Sequence, residues 1–123
     1  MPAIVYKDLS YSVIGAAMEV HRVLGPGYLE MVYQGALAKE LTIHCIPCEQ
    51  FKRLTVMYKG ISVGDYIADF VVDNKIILEI KAVSTLHPKH QAQAINYLTT
   101  TGLKLAILLN FGAKSLEWKR VVR

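Results

Sequence analysis

The chain has 123 residues, 53% of them hydrophobic and 20% charged, and a domain of that length buries roughly two thirds of its extended surface on folding, leaving no room for a second domain of ordinary size. Fourteen Lys and Arg against ten Asp and Glu give +4, a modest excess that suits a polyanionic partner without selecting one. No apolar run reaches the ~18 residues of a membrane span, and Met1 to Ser10 has neither the basic start nor the apolar stretch of a secretory leader, so a single cytoplasmic domain over residues 1–123 is expected.

The first helix is expected from Asp8 or Ser10, both good N-caps, with Val13, Ala17, Val20 and Leu24 at helical spacing and a stop at Gly25. Gly25-Pro26-Gly27 breaks the chain. A second helix follows from Tyr28 to Leu41, with Leu29, Val32, Ala36 and Leu37 as its expected buried stripe. Cys45 and Cys48 then form a CxxC. Zinc needs four ligands where only His44 is near, and a redox CxxC opens a helix where Glu49 to Tyr58 reads as a strand, so ordinary thiols are expected.

From here the hydrophobic period changes from 3.6 to 2. Lys59-Gly60 is the turn of a hairpin, Ile61 to Val72 a long strand, Asp73-Asn74 the next turn and Lys75 to Val83 the third strand. Pro88 opens a helix that runs to Thr101 and ends at Gly102. Leu105 to Phe111 is a short apolar strand, made parallel to the third by the intervening helix, and Leu116 to Val122 alternates as an edge strand. The order ααβββαβ(β) describes an α/β sandwich, a mixed sheet flanked by helices.

Two carboxylates interrupt these apolar strands. An unpaired buried carboxylate is expensive, so Asp69 and Glu79 imply paired charge, a solvent-open strand end or a bound cation. Alternation puts Ile76, Leu78, Ile80 and Ala82 on one face, as core, and Glu79 and Lys81 together on the other. Folding about Asp73-Asn74 brings Asp69 level with Glu79, close enough to share one divalent ion. The plainer alternative is a salt bridge between Glu79 and Lys81. On the third helix His90, Gln93 and Tyr97 share a polar stripe beside the apolar Ala94, Ile95 and Leu98, and on the second Glu30 and Tyr33 face the same way. Each of these taken singly is also explained as a wetted helix flank, a first-turn acid or a rim tyrosine.

Taken together, Gly27-x-x-Glu30-x-x-Tyr33, Asp69, Glu79-x-Lys81 and Gln93-x-x-x-Tyr97-Leu98 resemble the GxxExxY family, a branch of the PD-(D/E)xK nuclease superfamily, across nearly the whole chain. The Tyr58-Lys59-Gly60 hairpin and Leu108-Leu109-Asn110-Phe111-Gly112 add to the resemblance, while Ala68 stands where the superfamily's name has Pro, as RecB-type members tolerate. The resemblance implies a restriction-endonuclease-like fold and a nuclease that uses Mg²⁺ or Mn²⁺ on nucleic acid, DNA before RNA. It assigns Asp69 and Glu79 to the metal, with the Ile80 carbonyl and Glu30 as further ligands, and Lys81 and Gln93 to the chemistry. Tyr97, Tyr33 and His90 are expected to meet the substrate. Outside Glu30, Asp69, Glu79 and Lys81 the remaining charges are thirteen basic and seven acidic, which favours a polyanion around an acidic pocket. The rival expectation is a catalytically silent module that keeps the fold and binds nucleic acid or protein. A homodimer is also expected, since the row Leu116, Trp118 and Val122 leaves an apolar sheet edge uncovered.

Overall fold

The computed structural model describes residues 3–123; Met1 and Pro2, at the start of the segment read for a leader, lie outside the described residues. Its elements are α1 (Lys7–Leu24), α2 (Glu30–Ile43), β1 (Cys48–Tyr58), β2 (Ile61–Val72), β3 (Ile76–Lys81), α3 (Pro88–Thr101), β4 (Leu105–Asn110) and β5 (Glu117–Val122). The five strands form one sheet in the order β1-β2-β3-β4-β5, antiparallel throughout except for the parallel β3–β4 pair that α3 connects. This is the α/β sandwich expected from the sequence. No helix among the described residues is long and apolar enough to cross a membrane.

Turn chemistry explains the hairpins. Lys59 and Gly60 have φ of 48° and 83°, and Asp73 and Asn74 have 50° and 53°, the left-handed pairs that match the twist of antiparallel strands. Two helix details depart from expectation. The residue before α1 is Tyr6, which makes no side-chain cap, and Ser10 is instead buried, where its hydroxyl accepts a hydrogen bond from Arg120 of β5. α2 starts at Glu30, two residues late, and buries Tyr33, Leu37 and Leu41 together with Gln34. Of the expected stripe only Leu37 is buried: Leu29 is 80% exposed and Val32 is exposed too. The helix is apolar on more than one side, so packing against the sheet selected the stripe.

The sheet divides two apolar layers. Val13, Ala17 and Val20 of α1 and Tyr33, Leu37 and Leu41 of α2 cover Phe70, Ile76, Leu78, Ile80, Ile107 and Leu109. On the other face Ala94, Tyr97 and Leu98 of α3 cover Ile77, Val71, Ala106 and Leu108. All six residues of β4 are buried, as the centre of such a sandwich requires.

β3 and β4 both stop short of their expected ends, at Lys81 and Asn110. The fully buried Asn110 amide donates to the Val83 carbonyl and accepts from the Val83 N–H at 2.9 and 3.0 Å, which pulls that residue out of the ladder. Gly112 packs against it so closely that a Cβ there would lie 2.5 Å from the Val83 backbone. The chain therefore leaves the sheet immediately after Lys81, under the start of α3.

Candidate active site

The carboxyl ends of the central strands meet the polar flank of α3. Glu79, in the middle strand β3, sits on the α3 side, 4% exposed, and its Oε1 has no hydrogen-bond partner. Asp69 is half-buried on β2. The β2–β3 ladder ends at Phe70↔Leu78, and beyond it the Ile80 N–H donates to Asp69 Oδ2 at 2.7 Å. A side chain thus stands in for the missing ladder acceptor, and it holds the Asp69 carboxylate beside Glu79.

The electrostatics follow from this crowding. Burial first, and the Asp69 charge second, push the Glu79 carboxyl up to about 9, with Lys81 pulling it down by less. At neutral pH the Glu79 carboxyl therefore keeps its proton. Tyr97 is pushed up to about 12, first by burial and then by the Glu79 and Asp69 charges, so its phenol stays protonated. Its ring packs against Tyr66 at 5.1 Å.

Lys81 leaves β3 next to this pair and its Nζ donates to Gln93 Oε1 on α3 at 3.4 Å. None of the ion pairs among the described residues joins Glu79 to Lys81, so the plain salt bridge is not what the site contains. His90 accepts the His87 N–H through Nδ1, closing the cap of α3, which leaves the ring proton on Nε2. Burial, with the charges of Lys81, Lys89 and His87, keeps its imidazole below the usual histidine range, against a smaller opposing pull from Glu30. Glu30 is exposed, on the first residue of α2. Among the described residues no three His, Cys, Asp or Glu side chains cluster as a metal cage would, so Glu30 stands apart from the Asp69–Glu79 pair.

Asp69, Glu79, Lys81, Gln93 and Tyr97 thus converge, with His90 and Glu30 at the margin. Ile80 enters through its N–H, and Tyr33 does not enter at all. The Tyr33 ring is fully buried and stacks on Phe111 at 4.7 Å, and its hydroxyl donates to the Gly25 carbonyl at 2.6 Å and accepts from Tyr28 N–H. It ties the Gly25–Tyr28 connection to the core, which corrects the expectation that it meets substrate.

A family model described as the PD-(D/E)XK nuclease superfamily matches residues 7–121, from the first residue of α1 to the penultimate residue of β5. The chain belongs to that superfamily. No curated protein and no solved structure matches it.

This PD-(D/E)XK protein also contains polar residues near its site to which the sequence assigns no role. Gln34 donates to the Asp69 carbonyl at 3.0 Å. Asn110 bonds Val83 and also donates to Glu117 Oε1, which in turn accepts the Leu86 N–H. That chain of bonds fixes the segment between Lys81 and α3. The available signal was a buried amide inside an apolar pattern: Gln34 beside Tyr33, and Asn110 closing Leu105–Asn110.

Proposed function

We propose that the chain is a nuclease of the GxxExxY branch, hydrolysing phosphodiester bonds of DNA with Mg²⁺ or Mn²⁺. The observation that carries the reading is Glu79: a buried acid with an unpartnered oxygen, crowded against a second carboxyl, two positions before a lysine that bonds Gln93 on α3. A hard cation fits that donor set, because its charge would offset the burial and the Asp69 charge that keep Glu79 protonated. Asp69 and Glu79 would hold it, with the Ile80 carbonyl as a further ligand, and Glu30, at the margin of the site, would reach it through water. Once bound, such an ion neutralises charge on the phosphate and acidifies water.

The remaining work falls to the chain's own side chains. Lys81, positioned by Gln93, orients the attacking water and stabilises the charge that develops on the phosphate oxygens. Tyr97, protonated across the physiological range, donates to a phosphate oxygen, and the free Nε2–H of His90 donates farther along the backbone. The superfamily supports a nucleic-acid substrate, and the basic excess outside the site supports steering of a polyanion. Cutting both strands of a duplex takes two sites or two visits, which supports a homodimer built on the β5 edge, where Trp118 and Val122 are 43% and 48% exposed.

Incubation with duplex DNA, single-stranded DNA and RNA, with Mg²⁺, Mn²⁺ or EDTA, tests the proposal. Metal-dependent cleavage of DNA that Glu79→Ala abolishes is expected. Binding without cleavage under every metal condition would replace the enzyme by the silent module.

A further inference from the structure

We infer that Gln34 is a positioning residue for the Asp69 carboxylate, and that it acts through the backbone of Asp69; the inference rests on the metal-site reading above. β2 does not alternate regularly around Asp69. Phe70 and Val72 pack with α1 and α2, whereas Ala68, which a regular pleat would place on the same face, packs on the α3 side, and so does Tyr66 through Tyr97. The neighbouring strand turns over at the same place: Phe51, between Gln50↔Phe70 and Lys52↔Ala68, has φ of 53°. The sheet is irregular at the residue that carries the carboxylate.

A backbone carbonyl released from the ladder and buried needs a donor. Gln34 provides one from α2, 4% exposed, with its Nε2 on the Asp69 carbonyl at 3.0 Å and on Gln50 Oε1 at 3.2 Å. The Asp69 carbonyl only accepts, so the amide must present its NH₂ there, and Gln50 turns its oxygen in response. Asp69 is then gripped at both ends: its carbonyl by Gln34 of α2, its Oδ2 by the Ile80 N–H of the neighbouring strand. Rotation of the 69 peptide would swing the carboxylate away from Glu79, and the Gln34 bond opposes that rotation.

Three variants separate positioning from simple fold support: Gln34→Leu, Gln50→Ala and, as a destabilised control on the same helix, Leu41→Ala. Each is measured for Mn²⁺ affinity by calorimetry, for the amide proton shift of Ile80 by NMR, and for melting temperature. Gln34→Leu is expected to weaken Mn²⁺ binding by about 10–100-fold and to move the Ile80 amide signal upfield as its bond to Asp69 lengthens. Gln50→Ala, at an exposed partner, shows the same two changes to a smaller degree, and it serves where Gln34→Leu does not fold. Leu41→Ala lowers the melting temperature while keeping both signatures. Wild-type affinity and an unmoved Ile80 signal in Gln34→Leu overturn the inference, as does an equal loss in Leu41→Ala. A wild-type protein that binds no Mn²⁺ overturns the metal reading instead, and the Ile80 signal then judges the positioning role alone.

Discussion

The two faces of β3 divide the labour of the molecule. Ile76, Leu78 and Ile80 point toward α1 and α2, all nearly or fully buried in an apolar layer. Ile77, Glu79 and Lys81 point toward α3, and only the first of them is apolar. Six consecutive residues thus place stability on one side of a backbone and chemistry on the other, with the pleat as the only insulation between them. The costs are unequal as well. The α1–α2 face gains from the apolar side chains it buries, whereas the α3 face buries a carboxyl that burial and the Asp69 charge keep protonated.

The largest expected effect lies on the apolar face. Leu78→Ala removes a side chain with no solvent exposure and should cost about 2–5 kcal/mol in denaturant unfolding. Cleavage per folded molecule should fall little, because Glu79 and Lys81 project from the opposite face. If the rate per folded molecule collapses with Leu78→Ala, the two faces are not independent.

On the chemical face the expected pattern inverts. Lys81→Ala should lower kcat by about 10²–10³-fold, equivalent to ~3–4 kcal/mol of transition-state stabilisation. Its melting temperature and nucleic-acid affinity should stay near wild type, since Lys81 is half-buried and makes one long bond to Gln93. Equal losses of affinity and rate, read from filter binding beside steady-state kinetics, would make it a phosphate anchor.

Much of this division was legible in the sequence, and what was not legible has a physical cause. Element order, both hairpin turns and the parallel β3–β4 pair follow from period, turn residues and the need for a crossover, so local signals sufficed. The convergence of Asp69 with Glu79 followed from the Asp73-Asn74 turn alone. The buried stripe of α2 did not, because Leu29, Val32 and Ala36 are apolar like Leu37 and Leu41, and only the position of the sheet chooses between them. Tyr33 shows the same limit: its place one turn from Glu30 is a sequence fact, whereas its stacking on Phe111 depends on a residue 78 positions later. The irregularity at Asp69 and the Gln34 bond that meets it were invisible for a further reason, since alternation assumes a regular pleat.

A smaller effect sharpens the cost carried by the α3 face. Glu79 titrates near 9 in the folded chain and near its ordinary 4.5 when unfolded. Between those values folding takes up a proton, so its contribution is fully present below about pH 4.5 and is lost as pH rises toward 9. The loss amounts to about 3 kcal/mol at pH 7, at 1.36 kcal/mol per unit. Glu79→Gln should therefore flatten the pH dependence of unfolding and stabilise the metal-free protein at pH 7–8 by about 1–3 kcal/mol, while eliminating metal-dependent cleavage. A variant no more stable than wild type at pH 8 would mean that the carboxyl is not strained.

The smallest expected effect tests where the apolar face ends. Trp118 pairs with Leu109 and so lies on the α1 side of the sheet, yet it is 43% exposed on the edge strand β5, next to Met18 and Arg22 across a cavity of about 350 Å³. At the centre of the sheet that face is sealed; at this edge it is left half open. If a second copy covers it, Trp118→Ser should shift the monomer–dimer equilibrium toward monomer by at least about tenfold, ~1.4 kcal/mol, while changing monomer stability by only about 1 kcal/mol. Sedimentation over a concentration series reads the first quantity, and urea unfolding of the dilute monomer the second. A wild-type monomer at every concentration would remove the dimer, and a dimer indifferent to Trp118→Ser would place its contact on the other edge, β1, whose outer side is equally unpaired within the sheet.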